Sequence, residues 1–421
     1  MFLGTVIRML TGLVVGIQVA RYLGPSNYGA LSYTLSVVGI LSALSGMGTD
    51  YTLPRLIPSY PRKANEIVVA GIWVRCISSF VTVIAFMIIW LTDPVLKSAW
   101  VCGVVLLSLS MNPLTSIRYW YEAKMKSKTL VISELIGLGI GTCLKLVCLS
   151  VHASISAFIV ATFVELIASI VIYSGIYLWT HHQRVNSRRV RMRVRSLGLF
   201  GYPFAISTIA LLLHLKLDQI FLTHLVSVTE SGLYAAAVRI SEISYVVPVV
   251  LVSGLTGVLA VSRRNDRSLY YERLQLLFSV LAFTSIVISL AVTLGASHII
   301  DFLYGEAYSK SAAILVIHIW SCIGIYQNAA ASYAMNLERV NIWVIGKEVI
   351  ATLINVGLNL LLIPQFGGIG AAIATAVSYT VNSILLNLIH PKTRAIGIMQ
   401  LKSYTLIPLV QRIRTTVRGP D

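Results

Sequence analysis

Apolar residues along this chain gather in blocks of about twenty, divided by short polar turns, and show no strict alternation within a block. Twelve blocks stand out, at about 2–20, 30–48, 67–91, 99–117, 130–151, 155–179, 199–222, 233–260, 276–297, 311–335, 341–363 and 368–389. Roughly twenty helical residues cover the ~30 Å hydrocarbon core of a bilayer. Strands of a membrane barrel would alternate between lipid and lumen, and these blocks do not. The pattern predicts an all-α polytopic membrane protein with about twelve transmembrane helices. The first block, MFLGTVIRMLTGLVVGIQVA, is too long and glycine-interrupted for a secretory leader, and no A-x-A site precedes Arg21. It reads as a retained membrane helix.

Composition agrees. Of 421 residues 57% are hydrophobic and 12% charged, about half the charge of an average soluble domain. The net charge of +17 would suit a nucleic-acid binder, but the basic residues fall in bursts between the apolar blocks. Lys and Arg mark cytoplasmic loops in this way. On one side lie Arg55, Arg62 and Lys63, then Arg118 to Lys128, Arg184 to Arg195, Arg263 to Arg273, Arg339 and Lys347, and six in the tail. These are 25 of the 33 basic residues, against Arg21, Lys97 and Lys310 on the other side. Both termini are therefore expected in the cytoplasm.

The longest burst, HHQRVNSRRVRMRVRSLG, separates six blocks from six. The chain divides accordingly into an N-terminal six-helix lobe (1–180), a basic cytoplasmic linker (181–198), a C-terminal six-helix lobe (199–390) and a basic cytoplasmic tail (391–421). The linker's charge suits anionic lipid head groups. Tail residues 399–419 mix apolar and basic positions and read as an interfacial segment. The halves begin alike, RYLGPSNYGALSYTLS (21–36) against HLVSVTESGLYAAAVRISE (224–242), with Gly29 matching Gly232. Their ends correspond more weakly, at 151–165 and 365–379. An even number of spans per half makes this a parallel pseudo-repeat about the membrane normal, a hallmark of transporters.

The polar residues narrow the chemistry. Five cysteines lie in apolar blocks without a C-x-x-C pair, which argues against a disulfide framework or metal centre. His152, His214, His224, His298 and His318 are scattered, with no nucleophile or metal spacing. No glycine-rich phosphate loop or ATPase domain appears. The reading is of a non-enzyme without cofactor, metal or nucleic-acid partner.

Charges inside the blocks are costly and usually face a bundle interior or a path. The basic ones are Arg8, Arg75, Lys145, Lys216 and Arg239; the acidic ones are Glu134, Glu165, Asp218 and Glu242. Arg239 and Glu242 are spaced to pair along one helix, as are His214 and Asp218. The short THLVSVTESG turn also allows Asp218 and Arg239 to approach each other. Two readings stay open for these cations: ties that hold helices, or groups lining a substrate pathway. Arg8 and Arg75, nearer the ends of their blocks, are also able to snorkel. Glu165, nearest mid-span and isolated in the sequence, is a candidate ion-coupling group with Asp218, because burial there penalises the carboxylate charge.

Four stretches carry a resemblance: ARYLGPSNYGALSY, DQIFLTHLVSVTESGLYAAAVRISE, LYGEAYSKSAAILVI and INVGLNLLLIPQFGGIGAAIATAVSY. Together they resemble Wzx-type O-antigen and polysaccharide flippases of the multidrug/oligosaccharidyl-lipid/polysaccharide exporter superfamily. The similarity runs from about residue 4 to 390. It implies a V-shaped two-lobe bundle in the bacterial inner membrane, working by alternating access. The implied cargo is an oligosaccharide on undecaprenyl diphosphate, destined for lipopolysaccharide or a related surface polymer. Membrane lipids, a polysaccharide polymerase and a chain-length regulator are the implied partners. Arg8, Arg75, Lys145, Lys216, Asp218, Arg239 and Glu242 would then line the pathway. The competing readings are a multidrug/cation antiporter of the same superfamily and a membrane-embedded polymerase or acyltransferase.

Overall fold

The computed structural model describes residues 2–180, 187–338 and 340–405, and these form helices joined by short turns, with no strand among them. Two compact units emerge, Met1–Ile220 and Phe221–Asp421. The first holds α1 (Phe2–Gly46), α2 (Thr49–Ser59), α3 (Ala64–Thr92), α4 (Ala99–Met111), α5 (Ser116–Ala123), α6 (Ser127–Ser150), α7 (Ile155–Thr180) and most of α8 (Ser187–Leu225). The second holds α9 (Val228–Ile243), α10 (Val246–Asn265), α11 (Arg267–Leu303), α12 (Ser311–His318), α13 (Ser321–Leu337), α14 (Asn341–Thr380), α15 (Leu386–Ile389) and α16 (Arg394–Ser403).

Ten stretches of the described chain are long and apolar enough to cross a membrane. The count meets the twelve blocks because two stretches, Ile7–Gly46 and Ile342–Ile389, each contain a break. Helix α1 breaks at Gly24, where φ is 69°. The next residue is Pro25, which bars the α conformation before it, and glycine takes the positive φ without strain. Helix α14 breaks at Gly367, φ 56°, three residues after Pro364. Each break divides one long helix into two of the expected spans.

The packing suits a lipid solvent. Trp100, Trp179, Leu294 and Phe302 are among the most exposed side chains. Serines sit inside, where small residues let backbones close and hydroxyls bond across helices. In the first unit Ser78 donates to the Ser45 carbonyl at 2.6 Å. In the second, Ser311 donates to Leu233 O at 2.8 Å and Ser289 to Ile319 O at 3.1 Å. Helix α9 starts on a Ser-x-x-Glu sequence, with Ser227 Oγ accepting from the Glu230 amide at 3.1 Å.

The basic segment after block six is helical from Ser187 onward. Val190 and Leu197 are buried in a cluster with Ile57, Ile67, Trp120 and Tyr177, and Val194 packs against it. The spacing of 190, 194 and 197 is that of one helix face, so the start of α8 is amphipathic and belongs to the first unit. Residues 181–186 and 406–421, which include much of the expected linker and interfacial tail, lie outside the described residues. The near part of that tail is α16, which buries Ile396, Gly397, Gln400 and Ser403 against the second unit.

Candidate transport site

Of the intramembrane cations singled out in the sequence, Arg75 is the most completely enclosed, at 3% exposure. It stands on α3 and reaches the corner between α1 and α2. Its Nε donates to Thr49 Oγ1 at 2.6 Å and Nη1 to Asn112 Oδ1 at 3.1 Å. Nη1 also bonds Thr115, and Nη2 bonds Asp50. Tyr119 donates its hydroxyl to the same Asp50 oxygen. A guanidinium has five N–H donors in a fixed fork, and here four protein acceptors take up four of them. The charge is neutralised and held, so snorkelling is not its role. Asp50, two residues past the second apolar block, went unrecognised in the sequence for that reason.

Two further groups in this unit are paired. Lys145 Nζ donates to Glu165 Oε2 at 2.7 Å between α6 and α7. Glu165 is therefore not the isolated carboxylate that its sequence position suggested, because the next helix delivers an ammonium to it. Arg8 and Arg118 both reach Glu134 at 3.1 Å, and Arg118 also pairs with Glu122 at 2.9 Å. Further along, His214 and Asp218 are both buried on α8, while Lys216 between them is half-buried. In the second unit Arg239 is exposed on α9 although residues 231–238, 240 and 241 are buried, and Glu242 is half-buried. Arg239 is thus the one exposed position in the run 231–241.

A second enclosed cation lies where the sequence reading had none. Lys347, assigned above to a cytoplasmic loop, is fully buried on α14 with Glu348 beside it. Adjacent helical residues do not face each other, and two asparagines join them instead. Asn328 Oδ1 accepts from Lys347 Nζ at 2.6 Å, and its Nδ2 donates to Glu348 at 3.2 Å. Asn382 contributes its carbonyl to Lys347 at 3.4 Å and its Nδ2 to Glu348 at 3.0 Å. Asn382 belongs to a π-helical turn, Val381–Leu385. Such turns are frequent at functional sites. From Glu348 a buried polar stripe continues along α14 through Thr352, Asn355 and Asn359, at helical spacing, with Asn359 donating to Asn355 at 3.0 Å. Repeated polar residues on one face of an apolar helix were the available signal.

The first unit also contains a cavity of about 510 Å³, formed by α2, the start of α3 and the start of α8. Arg55, Arg193, Tyr51, Tyr60, Phe200 and Phe204 are among its lining residues. No cluster of three His, Cys, Asp or Glu able to hold a metal occurs among the described residues. Just beyond the Ser311–Leu337 stretch, Glu338 is gripped by Arg263 with two parallel bonds of 3.0 and 3.1 Å. Those hydrogen bonds hold the Glu338 carboxyl below its ordinary value near 4.5, against the opposing effect of burial.

Comparisons with known proteins fit this picture. A family model described as "Polysaccharide biosynthesis protein" matches residues 1–260. No curated protein matches the sequence. Among solved structures, the fold is similar to the lipid II flippase MurJ in an inward closed conformation, with 14% identity, 100% of this chain and 93% of that chain covered, and a TM-score of 0.76. It is also similar to an inward-facing multidrug resistance MATE family transporter of the MOP superfamily, at 15% identity, 95% coverage of both chains and a TM-score of 0.67. The eukaryotic MATE transporter AtDTX14 follows at 14% identity, 94% and 95% coverage and a TM-score of 0.57. At these identities the likeness is one of fold, a flippase-like transporter fold.

Proposed function

The chain belongs to the polysaccharide biosynthesis protein family, and from that premise we propose that it flips undecaprenyl-diphosphate-linked oligosaccharide repeat units from the cytoplasmic to the periplasmic leaflet of a bacterial inner membrane, by alternating access. The family match across residues 1–260 carries this reading. A diphosphate and several sugars would lose hydration in hydrocarbon at several kcal/mol for each unpaired polar group. A polar path through the protein removes that cost, and cations along it meet the diphosphate.

The cations divide by how they are held. Arg75, Arg8 and Lys145 act as ties, because each already holds a carboxylate. Arg239, which is exposed on α9, meets the anionic cargo, and Lys216 and Glu242 contribute to the same pathway. Asp218, buried on α8, and Glu165, paired with Lys145, are the ion-coupling candidates. Surface polysaccharide such as O-antigen is the product served, with a polymerase and chain-length regulator acting after it. Both termini lie in the cytoplasm on this reading.

The fold likeness to MATE transporters favours a second reading, a drug/cation antiporter. Against it, Asp50, Glu134 and Glu165 each hold a lysine or arginine, which a cationic drug would have to displace. The deciding experiment uses a host in which this is the single such gene. Its deletion should trap single lipid-linked repeat units on the cytoplasmic side, as read by mass spectrometry and side-specific accessibility, and wild type should release them. Repeat units that reach the periplasm without the gene would overturn the proposal.

A further inference from the structure

The cavity at the start of α8 is separate from the intramembrane ion pairs, and its lining is chemically lopsided. Both charged residues on its wall, Arg55 and Arg193, are basic. Arg193 contacts Glu66 at 3.2 Å, but Arg189 contacts the same carboxylate at 3.3 Å. One carboxylate thus serves two guanidiniums. Arg55 has no carboxylate partner among the described residues; its guanidinium sits 5.3 Å from the centre of the Phe204 ring. Phe204 is in turn stacked on Tyr51, with ring centres 5.6 Å apart and planes at 18°. This arrangement fixes an uncompensated cation at the rim of a pocket whose lining includes the apolar Leu56, Ile67, Leu197 and Phe200.

Excess positive charge against an apolar floor fits a ligand with an anionic head and a hydrocarbon body. The surroundings say where it comes from. Phe200 is 70% exposed and Tyr60 52% exposed, so the pocket opens onto an apolar surface. Arg62 and Arg195 are exposed nearby in the sequence. Basic pockets at the head-group level of membrane helices hold phosphate-bearing lipid heads. We propose that this cavity binds the phosphate head group and first hydrocarbon segment of an anionic phospholipid from the surrounding leaflet, with Arg55 and Arg193 on the phosphate. Such a lipid would pin α2 against the amphipathic start of α8. Prenyl diphosphate offers the same phosphate chemistry. The diester phospholipid is favoured because, among the described residues, no amide or carboxylate side chain lines the wall to receive sugars. The inference stands apart from the flippase reading, since binding is measured without transport.

The test is native mass spectrometry of the full purified chain titrated with phosphatidylglycerol, phosphatidylethanolamine, a short-chain prenyl diphosphate or inorganic phosphate. One phosphatidylglycerol should bind selectively, and Arg55→Gln should weaken it about five- to tenfold. Arg62→Gln, outside the cavity, should leave it unchanged, and Arg55→Lys should retain most of it. Equal losses in the Arg55 and Arg62 variants would overturn the proposal, because they would mean diffuse attraction. Inorganic phosphate competing as well as the lipid, or selective binding of prenyl diphosphate alone, would also overturn it. Unchanged melting temperatures for the variants separate a lost site from a lost fold.

Discussion

Arg55 and Arg75 stand twenty residues apart on neighbouring helices of the same unit, and they use their charge in opposite ways. Arg75 is buried, with Thr49, Asn112, Thr115 and Asp50 around its guanidinium. Arg55 is exposed, resting on a phenyl ring without a carboxylate. A buried charge persists only if it is paired and hydrogen-bonded, and Arg75 is both. A rim charge keeps its hydration and stays available to a ligand. Intramembrane position alone therefore does not identify a transport residue; the state of its partners does.

The comparison breaks most visibly at Arg75. Arg75→Met should cost roughly 3–5 kcal/mol, because Asp50 is left charged and unpaired. Thermal unfolding in detergent reads this loss. Adding Asp50→Asn should recover part of it, as expected for a coupled pair. Recovery of nothing would mean that Arg75 acts alone.

Lys347 extends the test to the second unit. Lys347→Met should cost less, about 2–3 kcal/mol, because Glu348 keeps two asparagine donors. An effect below that of an exposed lysine would show that the network does not hold α13 to α14.

The Arg263–Glu338 pair comes next, and pH sharpens it. The folded-state value of Glu338 is lowered from about 4.5, so the pair stabilises the fold above that value. Its contribution is lost as pH falls below 4.5 through the folded value. The stability difference between wild type and Glu338→Gln should shrink across that acid range; a difference that holds at low pH contradicts the assignment.

The smallest effect belongs to Arg55→Gln, within about 0.5 kcal/mol of wild type as for most surface changes. A larger loss would mean that Arg55 is a scaffold residue after all.

The spans were legible because each block matches the thickness of a bilayer, and the two breaks fall at glycines within three residues of a proline. The flippase-like fold followed from the signature stretches. The partners of the charges were not legible. Asp50 lies just beyond a block, and Glu165 meets Lys145 only because α6 and α7 pack side by side. Lys347 sits near the edge of an apolar block, where a charge normally signals a loop. Its burial depends on Asn328 and Asn382, which arrive from other segments. The stripe of Glu348, Thr352, Asn355 and Asn359 was visible as a period but not as a destination. The amphipathic start of α8 was likewise present in Val190, Val194 and Leu197, masked by the arginines between them.

The central claim is tested most directly in reconstituted vesicles. Purified protein would be placed in liposomes carrying a short-chain lipid-linked repeat unit in both leaflets, with a membrane-impermeant glycosidase outside. The flippase account expects the inner-leaflet pool to become cleavable at a rate that rises with protein content, and Arg239→Ala to slow it without loss of folded protein. A rate no higher than in protein-free vesicles would contradict the account.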